Sequence, residues 1–121
     1  MVQTGTFPNG ITNDKGEICR EFILQERTFR HTLELANDAG IKKELLGAPA
    51  YYDAAIISKR LAVAGIDKTT PDMVLDLEGD DGDTLANAMM ELDARRTDFR
   101  KGQQAAQEAA ASADQAGSAL D

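Results

Sequence analysis

The chain has 121 residues, 42% of them hydrophobic, and its 13 lysines and arginines against 21 aspartates and glutamates give a formal charge of −8. This length predicts one domain that can bury a core without metals or disulfides. The negative charge excludes a general nucleic-acid binder and a protein that docks on anionic membranes, because both need basic surfaces.

One cysteine and one histidine are too few for an intrachain disulfide or a zinc site of the usual Cys/His kind. The first thirty residues contain no basic stretch followed by an apolar run, so no signal peptide is indicated. No window approaches the roughly 18 apolar residues of a membrane span. We therefore expect a cytoplasmic protein without membrane contacts.

The N-terminal quarter has the pattern of a β-hairpin. Residues 2–7 are rich in threonine, and residues 13–16 (Asn-Asp-Lys-Gly) are typical of a turn. Residues 17–25 then alternate with period 2, one face being Ile18, Phe22 and Leu24 and the other Cys19, Glu21 and Ile23. An isolated hairpin is marginal in water, so we expect helices packed against it.

Two helices follow the hairpin. Phe29, Leu33 and Ala36 recur at helical spacing after Thr28, and Gly40 stands where glycine commonly ends a helix. Pro49 suits the first turn of a second helix, which is predicted to run to about Ala64 and to stop at Gly65.

Two more helices are predicted in the C-terminal half. Thr70, Pro71 and Asp72 form an N-cap, a proline at the first position and an acid in the first turn of a short helix through Leu77. Asp80 or Asp81 is expected to cap the longest helix, whose apolar stripe consists of Leu85, Met89, Leu92 and Phe99. Met90 lies off this stripe and is the better candidate for exposure.

The composition changes after Gly102, where alanine and glutamine dominate. We expect a single α+β domain over residues 1–101, with the N-terminal β-hairpin packed on a small bundle of three to four α-helices. Residues 102–121 are expected to form a flexible C-terminal tail, a frayed helix passing into disorder. The alternative is a segment that folds on a partner.

The negative charge is concentrated in residues 67–93, which hold nine acids and one base, Lys68. An EF-hand interpretation that starts at Asp76 fails, because the glycine position holds Asp81 and the bidentate glutamate position holds Asn87. The segment is better interpreted as a solvated, solubilising junction between helices, with acids near helix N-termini.

No motif indicates an enzyme, a cofactor or a metal. Cys19 lies inside a predicted strand and is expected to be a buried structural thiol. His31 is expected to be a solvated surface histidine. Phosphate loops, dinucleotide fingerprints and hydrolase or metalloprotease motifs are all missing from the sequence.

The second helix is apolar on more than one side. One stripe contains Ala54, Ile57 and Leu61, and a second contains Tyr52, Ile56 and Val63. Either this helix is central and packs on both sides, or the second stripe receives a partner or a second copy of the chain. The predicted partner-binding residues are Tyr52, Ile56, Val63, Met73 and Met90.

The order of these features resembles a known family. The stretch from Tyr51 to Ile66, the Thr70–Leu77 segment (Thr-Pro-Asp-Met-Val-Leu-Asp-Leu) and the Asp80–Asp81 pair before a closing helix carry the resemblance. The family is the tail assembly chaperones of Mu-like contractile-tailed phages and prophages (the tail protein E/41/14 group). The resemblance covers about residues 10 to 100, and the tail after Gly102 is not part of it.

The resemblance implies a non-enzymatic protein that keeps the tape-measure protein soluble while the tail tube assembles around it. The tail tube protein is a further partner that it suggests, whereas self-association is suggested by the second apolar stripe of the helix over residues 50–64. Two other hypotheses remain open: an acidic decoy that occupies a basic nucleic-acid-binding surface of another protein, and a minor structural subunit of the tail.

Overall fold

The computed structural model describes the backbone of residues 1–119 and the side chains of residues 1–111. The elements in chain order are β1 (Val2–Thr12), β2 (Ile18–Gln25), α1 (Phe29–Asn37), a 3-10 turn (Lys43–Leu45), α2 (Pro49–Arg60), β3 (Leu61–Val63), α3 (Pro71–Leu75) and α4 (Gly79–Ala119). The strands form one antiparallel sheet in the order β1-β2-β3. The predicted α+β class is therefore confirmed.

The predicted hairpin is present, but it contains a bulge, and the side chains that face inward are not those of one predicted face. The β1–β2 register shifts between Thr6 and Ile11, and Gly10 in the bulge has φ 89°. Cys19 and Phe22 are both buried although they differ in parity along β2, and the Cys19 Sγ lies against Gly65, where a Cβ would collide with it. Ile18, placed by its period with Phe22, is instead 61% exposed.

The second predicted helix is shorter than expected. It ends at Arg60, and Leu61–Val63 forms the edge strand β3, in which Leu61 pairs with Leu24 and Val63 pairs with Phe22. In a strand, Leu61 and Val63 point to the same side, and both enter the core beneath the sheet. In a helix, residues two positions apart would point to nearly opposite sides. Gly65 follows with φ 91° and reverses the chain.

The core has two parts. The main cluster lies between the inner face of the sheet and α4, and it comprises Phe7, Cys19, Phe22, Leu24, Leu61, Val63, Leu85, Ala88 and Leu92. The rings of Phe7 and Phe22 stack there with centroids 4.4 Å apart. A second cluster lies between α1 and α2 and comprises Leu35, Ile41, Tyr51, Ala55 and Ile56.

Helix α4 runs antiparallel to β1 and is held near both ends of that strand. The Asp81 carboxylate accepts hydrogen bonds from the backbone N–H groups of Asn9 and Gly10, both at 2.9 Å. Fourteen residues further on, Arg95 donates to the Val2 carbonyl at 2.6 Å. The helix segment between Asp81 and Arg95 and the strand segment between Asn9 and Val2 are each about 20 Å long, since a helix rises about 1.5 Å and a strand about 3.3 Å per residue.

The structure thus corrects the role that the sequence predicted for Asp81. It was expected to cap the helix or to be a solvated acid, but its side chain is fully buried. The bulge in β1 turns consecutive amides toward the first turn of α4, and the carboxylate satisfies both of them.

The second half of α4 extends away from the core. Every residue from 97 to 111 is exposed, including Phe99, which the predicted stripe had placed with Leu92. The helix continues through Gly102 to Ala119, and residues 120–121 of the predicted tail lie outside the described residues. Within the described residues, no helix combines the length and hydropathy needed to cross a membrane.

Candidate partner-binding surface

The five predicted contact residues do not form one surface. Ile56 and Val63 are 4% and 3% exposed and belong to different core clusters. Their stripe required a helix that continued past Arg60, whereas Val63 lies on β3. Two of the three residues of the second apolar stripe, which was expected to receive a partner, are therefore part of the protein's own core.

The other three predicted residues lie apart. Tyr52 is half-buried against the α1–α2 cluster, and its hydroxyl accepts a hydrogen bond from Arg27 at 3.5 Å. Met73 is half-buried and lines an open cleft below the hairpin turn, beside Cys19. Met90 projects from α4 and is 68% exposed, as its position off the Leu85 stripe predicted.

One apolar surface that the structure leaves open is on α1, in addition to single exposed side chains such as Ile23 on the sheet and Phe99 on α4. Phe29 and Leu33 are 72% and 49% exposed, and Ala36 is also exposed. At 100° per residue these side chains fall within about 60° of one another, and we call them the outer face of α1. A stripe of this kind ordinarily faces the core, but here His31 and Leu35, on the opposite side, are buried instead.

Polar contacts hold the first turn of α1 in this orientation. The Thr28 backbone N–H donates to Nδ1 of His31 at 3.0 Å, and the His31 backbone N–H donates to the Thr28 carbonyl at 3.1 Å. Since Nδ1 accepts, the neutral ring carries its proton on Nε2, which lies 3.3 Å from Oε1 of Gln25. His31, expected in solvent, is thus a buried cap residue that ties α1 to the end of β2.

The other end of α1 is held by charge. The Asp38 carboxylate forms ion pairs with Lys59 of α2 and, at 2.9 Å, with Lys68 of the segment before α3. It also accepts the Gly40 backbone N–H at 2.8 Å. The hydrogen bonds from Lys59 and Lys68 lower the pKa of Asp38 far below its ordinary value. Both ends of α1 are therefore fixed, and Phe29 and Leu33 remain outside.

Replacing Asp38 with asparagine should destabilise the fold by about 2 kcal/mol at neutral pH, because charged hydrogen bonds to two lysines are lost. The pKa of Asp38 is depressed on folding, so this contribution is complete above the ordinary pKa of 3.8 and disappears as pH falls through the folded-state value. Urea unfolding at about pH 7, 4 and 2 should show a difference that is nearly unchanged at pH 4 and clearly smaller at pH 2, because the folded-state pKa of Asp38 lies far below 3.8. A constant difference would contradict this assignment.

Charged side chains flank the outer face. Arg30 and Glu34 are exposed on one side of it, and neither makes an ion pair with another described residue. Both are thus available for pairing with a charged group on another molecule. Arg27, one turn earlier, is also exposed and contacts Tyr52.

A buried arginine that the sequence did not reveal lies at the end of α2. Arg60 is 6% exposed, and its Nε donates to the Gln25 carbonyl at 2.9 Å. Burial lowers the pKa of Arg60, and the Asp93 carboxylate of α4 opposes that effect. Arg60 therefore joins the end of β2 to the helical layer and positions the segment that leads into α1.

The remaining titratable side chains that the sequence singled out are Cys19 and the acids of residues 67–93. No group of three or more His, Cys, Asp or Glu side chains among them is placed to hold a metal ion. Cys19 is 7% exposed, as expected for a structural thiol. Of the nine acids between residues 67 and 93, all but Asp81 are exposed, so this segment presents a negative surface.

The comparisons with known proteins leave the family open. The chain matches no protein-family model, no curated protein and no solved structure. The functional assignment therefore depends on the sequence resemblance and on the surfaces described above.

Proposed function

We propose that this protein is a non-enzymatic tail assembly chaperone of a Mu-like phage or prophage, which keeps a helical segment of the tape-measure protein soluble during tail assembly. The order of motifs between about residues 10 and 100 supports the family. The outer face of α1 supports the mode of binding, and it replaces the apolar stripe predicted on the helix over residues 50–64 as the binding surface.

The observation that carries this proposal is the orientation of α1. A phenylalanine and a leucine at i and i+4 face solvent, although burying them would stabilise a free monomer by about 1.5–3 kcal/mol each. Two anchored ends hold the helix in this orientation, so the exposure is built into the fold. A rigid apolar helix face is a suitable site for the apolar side of an amphipathic client helix.

The acidic segment suits the same role. Eight exposed carboxylates between residues 67 and 93 give the protein a strongly charged surface. Net charge keeps a complex with an aggregation-prone partner in solution, because complexes of like charge repel one another. In this proposal α1 binds the client, and the acidic residues between 67 and 93 keep the complex in solution.

The test is co-expression with the tape-measure protein of the phage or prophage that carries this gene. Wild-type protein should keep that client in the soluble fraction and co-purify with it. Phe29→Asp and Leu33→Asp should each weaken binding by about tenfold or more, since each places a charge in an apolar contact. Leu75→Asp is the matched control, because Leu75 is 50% exposed on another helix.

Circular dichroism of each variant separates lost binding from lost folding. Exposed substitutions outside the core change stability little, so the three variants should unfold near the wild-type midpoint. Folded Phe29→Asp protein that still retains the client with wild-type affinity would remove α1 from the binding site. Failure of the wild-type chain to solubilise the client would remove the chaperone function.

A second candidate is the acidic decoy, favoured by the exposure of those same eight carboxylates. A decoy would bind a basic surface, and its affinity would fall steeply as salt rises. Capture by α1 is mainly apolar and should change little between low and high salt. A salt titration of the purified complex distinguishes the two functions.

A further inference from the structure

We propose that the outer face of α1 is covered, in the free protein, by the same face of a second copy of this chain, in an antiparallel two-fold pairing. This inference rests on the proposed function, because it describes how the client-binding surface is protected before the client arrives. Client and second copy then compete for Phe29 and Leu33.

The apolar residues fit a symmetric antiparallel contact. Phe29 and Ala36 lie at opposite ends of the nine-residue helix, with Leu33 between them. With a two-fold axis near residue 32, Phe29 of each copy lies between Leu33 and Ala36 of the other. The largest side chain thereby faces the gap beside the smallest one, as ridge-into-groove packing of helices requires.

Charge complementarity selects the antiparallel arrangement. Arg30 and Glu34 lie on the same side of the outer face and have no ion-pair partner among the described residues. In the antiparallel pairing that side of one helix borders the same side of the other, with Arg30 of each copy opposite Glu34 of the second. A parallel pairing would put these charges on opposite sides and leave them unpaired.

The contact is small, so the dimer should dissociate readily. Helix α1 is only about 13 Å long, and the two faces together cover much less than a standard stable interface. We expect a dissociation constant on the order of 10 to 100 µM, as for weak transient contacts. Such a dimer protects the apolar face at high concentration and releases it to a client that offers a longer helix.

Charge reversal tests the pairing. Dimerisation is measured by sedimentation velocity at about 5 to 500 µM, a range that brackets the expected dissociation constant. Arg30→Glu leaves two glutamates on α1, and Glu34→Arg leaves two arginines. Each single variant should dimerise at least about tenfold more weakly than wild type, because like charges then face each other. Mixing the two variants should restore dimers, since every pair across the interface is again of opposite charge.

Two further variants complete the test. The double variant Arg30→Glu/Glu34→Arg should form homodimers as the wild type does, because the pairs are merely exchanged. Arg100→Glu, at an exposed position on α4, is the control for charge reversal and should dimerise normally. Wild-type protein that is still monomeric at about 500 µM would overturn the pairing. Mixed single variants that stay monomeric at that concentration would overturn it as well.

Client capture distinguishes failure of this inference from failure of the proposed function. A wild-type chain that is monomeric but keeps the tape-measure protein soluble overturns the pairing and leaves the chaperone function standing. A dimer that Arg30→Glu dissociates, in a protein that never solubilises the client, supports the pairing and overturns the function. Titration of client into wild-type dimer should yield one protomer per bound segment.

Discussion

Asp81→Ala is expected to lower the free energy of unfolding by about 3 kcal/mol, because two charge-assisted hydrogen bonds are lost in a buried setting. The carboxylate receives the Asn9 and Gly10 amides and is fully buried, so the change removes the contact that joins α4 to the β1 bulge. Urea unfolding followed by circular dichroism measures the loss.

Neighbouring acids provide the control for that change. Asp80 and Asp83 belong to the same turn of α4 but are exposed, and Asp80→Ala and Asp83→Ala should each stay within about 0.5 kcal/mol of wild type. Equal losses for Asp80→Ala and Asp81→Ala would show that the segment acts through its total charge. That outcome would contradict the specific role of Asp81 in closing the sheet against α4.

Phe22→Ala should destabilise the protein by about 3–5 kcal/mol, the usual cost of removing a large ring from a packed core. Phe22 is 2% exposed, stacks on Phe7 and covers Gly5, where a Cβ would collide with its ring. The truncation leaves a cavity in the middle of the sheet. Thermal or urea unfolding measures the loss.

Ile23, the next residue along β2, is the matched control. It is 47% exposed on the outer face of the sheet and pairs with Thr4 and Ala62. Ile23→Ala should therefore cost less than about 1 kcal/mol. Since a one-residue slip of the strand exchanges the two faces, a larger loss for Ile23→Ala than for Phe22→Ala would show that the register is wrong.

Together these variants separate global stability from the proposed binding surface. Asp81 and Phe22 act on the sheet and α4, whereas Asp38 acts on α1 and the helical layer. We therefore expect Asp38→Asn to reduce client binding more than its modest effect on stability suggests, because it loosens the orientation of Phe29 and Leu33.

Local signals were sufficient for most of the secondary structure. The Asn13–Gly16 turn, Pro49 at the start of α2 and the Thr70–Pro71 cap depend on bonds within a few residues, and each lies where the sequence predicts. The same holds for the exposure of Met90, since helical period alone places it away from Leu85 and Leu92.

The orientation of α1 is where sequence reasoning was insufficient for the site. The spacing of Phe29, Leu33 and Ala36 correctly predicts a helix, but the more apolar face of a helix is ordinarily the buried one. The side that packs here is set by the Thr28–His31 cap and the Asp38–Lys59 ion pair, the second of which joins residues 21 positions apart. The one available hint was His31, which lies one turn before the buried Leu35.

The sequence by itself determined the α+β class, the hairpin, the helix starts and the concentration of negative charge in residues 67–93, because these depend on composition and on contacts between near neighbours. Only the tertiary structure decided the β1 bulge, the strand Leu61–Val63, the burial of Asp81 and the outward face of α1. The first three depend on partners far away in the chain, and the outward face of α1 does so in part: Asp81 lies more than 70 positions from Asn9 and Gly10, and Asp38 lies 21 positions from Lys59. Local propensity carries no information about such a partner, because a distant contact can outweigh a local preference of a few tenths of a kcal/mol per residue.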